Sequence, residues 1–198
     1  MRLIARTAIA LAAVAALAAC DRSIEPAAET APSTETTASA ATPAAPVQAS
    51  GGLAIEGEGL RIFDADGAAR ALPFGTPQET VITAVSATTG GGAPEQSTNE
   101  ECGQGPVQHA DYANGLQLLF QGGEFRGWVL REAGLTTVDG IGVGTTRSAL
   151  NAARTVEIQT DSTLGIEFTA GDIMGFLTAA DASGTVESLY AGDTCFFR

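Results

Sequence analysis

The sequence contains no lysine, and its ten basic residues, all of them arginine, face 23 acidic residues, for a formal net charge of −13. Binding of nucleic acid depends on clustered Lys and Arg that displace counterions from phosphates, so this composition excludes a nucleic-acid partner. Histidine occurs once, at His109, and no CxxC or HxxxH spacing is present. The sequence therefore offers no metal site, and it contains no motif for a cofactor.

Long apolar runs are also missing, since the N-terminal one extends only from residue 8 to residue 19. A helix that crosses a bilayer needs about 20 apolar residues, so this run is too short to be a membrane span. Arg2 and Arg6 precede it, and Cys20 follows it. A basic start, a short apolar stretch and small residues before a cleavage point predict a signal peptide over residues 1–19.

The stretch Leu17-Ala18-Ala19-Cys20 resembles the lipobox of bacterial lipoprotein precursors. The resemblance implies that Cys20 is lipidated and becomes the first residue of a mature protein that is anchored in the cell envelope and faces the periplasm. Asp21 resembles an inner-membrane retention signal, so it favours the inner membrane and leaves the outer membrane open. The lipid is the expected membrane contact, because anionic headgroups repel a domain this acidic.

Residues 20–50 are dominated by Ala, Thr, Pro and Ser and contain no aromatic residue. Such a segment buries too little apolar surface to offset the entropy of ordering it, so it is predicted to be a disordered linker. The remaining residues, 51–198, have a length that suits one domain.

Cysteine is scarce, and only Cys102 and Cys195 remain once Cys20 is assigned to lipid. Disulfides persist in the oxidising periplasm, so these two cysteines are predicted to be bonded. Metal ligation by the same pair is disfavoured, because His109 is the only histidine that could join them. The bond would tie the C-terminal end of the domain to its middle.

Two local patterns predict helices. Thr76 and Glu79 have the spacing of a capping box, and Pro77 between them suits the first helical position. A second helix is predicted near residues 146–153, with Thr145 as its cap. In both places a Gly-Thr pair opens the helix.

Alternating apolar residues predict antiparallel strands. Residues 116–130 predict a hairpin around Gly122-Gly123. An opening hairpin is predicted over residues 60–74 with its turn at Asp66-Gly67, and a closing strand is predicted near residues 186–190. Helices and hairpins together predict an α+β domain.

A second hairpin pattern sets Gly175-Phe176 against Gly127-Trp128 and indicates an internal duplication. The two divergent repeats would cover about residues 70–138 and 139–195. The first repeat would carry an insertion, the polar stretch over residues 91–105.

A helix followed by antiparallel strands, occurring twice, resembles the tandem α/β layout of the beta-lactamase inhibitor protein and of small outer-membrane assembly lipoproteins of the SmpA/OmlA type. The resemblance rests on the two Gly-Thr helix starts and the hairpins after them, over about 120 residues. It implies a binding module, and it carries over no catalytic residue.

The sequence therefore predicts a non-catalytic binding or envelope-interaction lipoprotein that uses no cofactor and has an envelope protein as its partner. Polar positions opposite the core, such as Gln117, Gln121 and Arg126, are the candidate contacts. The alternative is a periplasmic hydrolase in which His109 acts with a nearby acid such as Asp111. No GxSxG motif is present to supply a nucleophile for that reaction.

Overall fold

The computed structural model describes residues 52–90 and 92–195. The signal peptide over residues 1–19, the lipidated Cys20 and the linker over residues 20–50 lie outside the described residues, so those assignments stay predictions. In the described part of the chain, neither helix has the length and apolar character needed to span a membrane.

The described residues form two helices and eleven strands. In chain order these are β1 (Gly52–Glu56), β2 (Gly59–Phe63), β3 (Ala69–Pro73), α1 (Gln78–Thr88), β4 (Glu95–Asn99), β5 (Val107–Asp111), β6 (Leu116–Gln121), β7 (Glu124–Leu130), α2 (Arg147–Ala153), β8 (Glu157–Gln159), β9 (Ile166–Ala170), β10 (Ile173–Leu177) and β11 (Val186–Gly192).

The strands form two antiparallel sheets. The small sheet has the order β1-β2-β3, and the large sheet has the order β4-β5-β6-β7-β11-β10-β9-β8. Helix α1 precedes β4 to β7 along the chain and α2 precedes β8 to β11, so each half of the large sheet follows one helix. The predicted α+β class is confirmed, as are the hairpin at Gly122-Gly123 and the opening hairpin β2–β3.

Both helices begin near the predicted places, but both predicted caps are wrong. The hydroxyl of Thr76 donates to the carbonyl of Pro73 at 2.7 Å, so it does not cap α1, and Pro77 is the N-cap residue. The oxygen of Thr145 accepts from the backbone of Gly142, and Thr146 caps α2 instead. In each case the threonine hydroxyl bonds within the turn before the helix, and the N-cap lies one residue later than predicted.

The main core lies on one face of the large sheet. It joins apolar side chains of that sheet to the small sheet and to both helices, with Val81 and Val85 of α1 and Leu150 of α2 fully buried. Trp128 is fully buried in this core and donates from Nε1 to the carbonyl of Glu56 at 2.9 Å. That bond links β7 of the large sheet to β1 of the small one.

The opposite face of the large sheet carries a second, smaller apolar cluster. Leu119, Val129 and Tyr190 are nearly fully buried there, and Phe176 packs against them. Because side chains alternate between the two faces of a strand, Phe176 lies on the face opposite Trp128. The sequence pattern that set Gly175-Phe176 against Gly127-Trp128 would give the two aromatic residues one shared core position, and that expectation is wrong.

Candidate functional site

The described chain contains one disulfide, between Cys102 and Cys195, as predicted. Their Cα atoms are 5.9 Å apart, and 93 positions separate them in sequence. The bond connects the β4–β5 segment to the segment after β11, and both cysteines contact the second apolar cluster. It therefore holds the β4–β5 segment and the segment after β11 together over one face of the large sheet.

Four polar side chains lie on the same face, along β5 and β6 and directly after β7. We call His109, Asp111, Gln117 and Arg131 the polar row. Nε2 of Gln117 donates to Oδ1 of Asp111 at 2.7 Å, and Oε1 of Gln117 lies 3.4 Å from both terminal nitrogens of Arg131. Pairing of Asp111 with Gln117 across the strands brings these groups together. Gln117 thus connects the carboxylate of Asp111 with the guanidinium of Arg131 at the sheet surface.

His109 and Asp111 are not joined in the way a catalytic pair requires. The amide of Gln117 lies between them, with its Nε2 3.5 Å from Nδ1 of His109. This contact is weak at best, and it places an amide where the carboxylate of a catalytic pair would accept a hydrogen bond from Nδ1.

Ser97 is the nearest candidate nucleophile by register, because it is the cross-strand partner of His109. Among the residues that the structure describes, Nε2 of His109 is buried and forms no hydrogen bond. The described part of the chain therefore contains no assembled pair of hydroxyl and imidazole at this position.

The other positions favoured from the sequence have different roles. Gln121 donates from Nε2 to the carbonyls of Gln104 and Gly105 at 3.0 and 3.1 Å, so it holds the segment that carries Cys102. Arg126 lies 3.8 Å from Glu124 at the start of β7. Of the three predicted contacts, Gln117 alone belongs to the polar row.

A second polar feature, which the sequence did not reveal, is the ion pair of Asp139 and Arg154. Two hydrogen bonds of 2.7 and 2.8 Å join the guanidinium to the carboxylate, and Arg154 also donates to the carbonyl of Ala170. The guanidinium lowers the pKa of Asp139 to about 2. The pair lies beside a shallow groove of about 500 Å³ that Arg147 and Asn151 also line.

The pairing with Asp139 neutralises the charge of Arg154, one of the two arginines that line this groove. The described residues also contain no group of three side chains that could hold a metal ion. The polar row and the disulfide-bonded region beside it are therefore the strongest candidates for an interaction surface.

Comparison of the chain with protein-family models, with curated proteins and with solved structures finds no match. A functional proposal therefore rests on the residues and the geometry of this chain.

Proposed function

We propose that this protein is a lipid-anchored, non-catalytic interaction lipoprotein of the cell envelope. Its folded domain faces the periplasm, and Cys20 is its point of attachment. The observation that carries the proposal is the bonded pair Cys102–Cys195, because such bonds persist in oxidising compartments. A signal peptide that ends in a lipobox at Cys20 would direct the domain to such a compartment.

The predicted linker supports an interaction role. A flexible segment of about 30 residues has an average end-to-end distance of about 30 Å, and its prolines extend that reach. A domain attached in this way searches a layer next to the membrane, where attachment raises the effective concentration of any partner in the same layer. The polar row offers that partner a donor at Arg131 and an acceptor at Asp111.

We also propose that the domain is a divergent duplication, each repeat being one helix and four antiparallel strands. The two helix entries make the same set of backbone bonds. Gly75 donates to Phe125, which donates back to Thr76, and Gln78 donates to Gly123.

The second entry forms the matching set. Gly144 donates to Val186, which donates back to Thr145, and Arg147 donates to Gly184. Gly75 and Gly144 share a φ of 89°, a backbone conformation that favours glycine. These bonds pair each helix entry with the last strand of its own repeat, β7 or β11, which would make those strands equivalent.

The anchor is tested by replacing Cys20→Ser and fractionating cells, with Asp21→Ala as a matched control. The wild type and the control are expected in the membrane fraction with the mass of a processed, lipidated chain. Cys20→Ser is expected to leave that fraction or to keep the mass of the precursor. Membrane retention of Cys20→Ser with the same mass as the wild type would refute the anchor.

The interaction role is tested by cross-linking from Gln117 in intact cells that retain the lipid anchor. A specific envelope protein should be recovered, and Arg131→Ala should reduce its yield while leaving the amount of protein unchanged. The opposing outcome is no cross-linked partner together with hydrolysis of an ester or peptide that disappears in His109→Ala. That result would favour the hydrolase.

A further inference from the structure

Strand β4 is an exposed edge of the large sheet. It pairs with β5 over five consecutive residues without a bulge, and its sequence, EQSTN, contains no proline and no basic residue. Natural edge strands are commonly protected by proline, by charged side chains, by bulges, by shortness or by a segment that covers them. Edge strand β3 contains Arg70 and Pro73, and edge strand β8 has three residues. Edge strand β1 is covered, because Ile55 donates to the carbonyl of Thr136 and the carbonyl of Glu56 accepts from Trp128. Of these protections β4 has only one charged side chain, Glu95, at its first residue.

The backbone groups that β4 directs outward can be assigned from the neighbouring strands. The N–H of Tyr112 donates to the carbonyl of Leu116, so alternate residues of β5 counted back from Tyr112 face β6, and the intervening ones face β4. Ser97 is therefore bonded inward, toward β5. Gln96 and Thr98 direct both their N–H and their C=O away from the sheet.

We propose that β4 pairs with β4 of a second copy of this chain, antiparallel, about a two-fold axis at Ser97. In this register Gln96 of each copy lies opposite Thr98 of the other, and each such pair exchanges two backbone hydrogen bonds. Glu95 lies opposite Asn99 of the other copy. The contact is self-complementary, as a two-fold interface requires, and no carboxylate lies directly opposite another.

A second copy suits this edge because both copies would carry the same tether and present the edge at the same height above the membrane. This part of the argument rests on the proposed anchor, and the pairing supplies the partner for the proposed interaction role. Glu100 and Glu101 add like charge beside the edge, so the pairing is expected to strengthen as salt screens their repulsion. A basic extended segment of another protein, the competing occupant, would bind more weakly as salt rises.

The test is Ser97→Cys in the full chain, expressed in intact cells and treated with a mild oxidant. The two introduced thiols would face each other across the axis, where Cβ atoms are about 4.5–5.5 Å apart, and should form a disulfide-linked dimer on a non-reducing gel. Glu95→Cys and Asn99→Cys are the matched single controls, since neither residue lies opposite itself. Combining them in one chain should restore the dimer.

Thr98→Pro, added to Ser97→Cys, separates pairing from folding. The N–H that it removes points outward, so the bonds between β4 and β5 remain, and Trp128 emission should match the parent. Each dimer loses two donors, which should lower the dimer yield by at least about tenfold. Thr98→Val keeps the N–H and should keep the dimer.

The proposal is overturned if Ser97→Cys gives no more dimer than Glu95→Cys, or if it cross-links only to a different protein. It is also overturned if light scattering of the purified full chain shows that self-association weakens as salt rises. The anchor and interaction role are judged separately, by the location of Cys20→Ser and by cross-links from Gln117, so each can fail without the other.

Discussion

Breaking the bond between Cys102 and Cys195 should destabilise the domain by a large fraction of its total stability. The cysteines are 93 positions apart, and the chain-entropy model gives about 4–5 kcal/mol for a loop of that length. Folded domains have free energies of unfolding of about 5–15 kcal/mol. Reduction alone should therefore bring the domain close to the limit of folding, without removing any side chain from the second apolar cluster.

Trp128 provides the assay. It is the only tryptophan in the chain and is fully buried in the main core, so its emission reports loss of that core. Urea unfolding of the chain from Asp21 onward should be measured with the bond intact, after reduction, and in the double variant Cys102→Ala/Cys195→Ala. Either single variant should match the double variant, because one cysteine cannot form the bond.

Two results would refute this reasoning. One is a difference between oxidised and reduced protein of less than about 1 kcal/mol, well below the value expected for so long a loop. The other is quantitative thiol labelling of both cysteines in unreduced protein. The second result would also remove the main support for an oxidising compartment.

The elements that the sequence predicted are those specified by neighbouring residues. Gly122 and Gly123 adopt φ values of 62° and 82°, which a two-residue hairpin turn requires and glycine supplies at little cost. In α1 the apolar residues Val81 and Val85 recur at helical spacing, and both are buried. In these segments the local preference agrees with the tertiary structure.

Strand β4 was missed because it lies at an edge and carries polar residues on both faces. Without a buried side chain it shows no apolar alternation, so residues 91–105 read as a polar insertion. The pairing of Ser97 with His109 defines it as a strand. Pairing of that kind is a property of the folded sheet.

The candidate site was predicted only in part, because its geometry depends on long-range register. Gln117 was identified as a polar position opposite the core, but its place between Asp111 and His109 follows from the alignment of β5 with β6. Asp139 and Arg154 are 15 positions apart in irregular and terminal segments, and no periodic pattern relates them. Both features therefore arise from contacts that form only in the folded domain.

Trp128→Phe should remove the bond to the carbonyl of Glu56 and lower the free energy of unfolding by about 1–2 kcal/mol, measured by circular dichroism in urea. Thr146→Ala should cost about 1 kcal/mol because it removes a helix cap, and Thr76→Ala should cost less because Thr76 does not cap α1; equal losses would contradict the assigned caps. Asp139 has a pKa of about 2 in the folded state against an ordinary 3.8, so its ion pair stabilises the fold fully above pH 3.8, and this stabilisation is lost as the pH falls through about 2. Because its side chain is 36% exposed, solvent screening limits this contribution to roughly 1 kcal/mol. Asp139→Asn should lose that amount at neutral pH, and the gap to the wild type should close as the pH falls through this window; a gap that stayed constant would show that the carboxylate charge is not its cause.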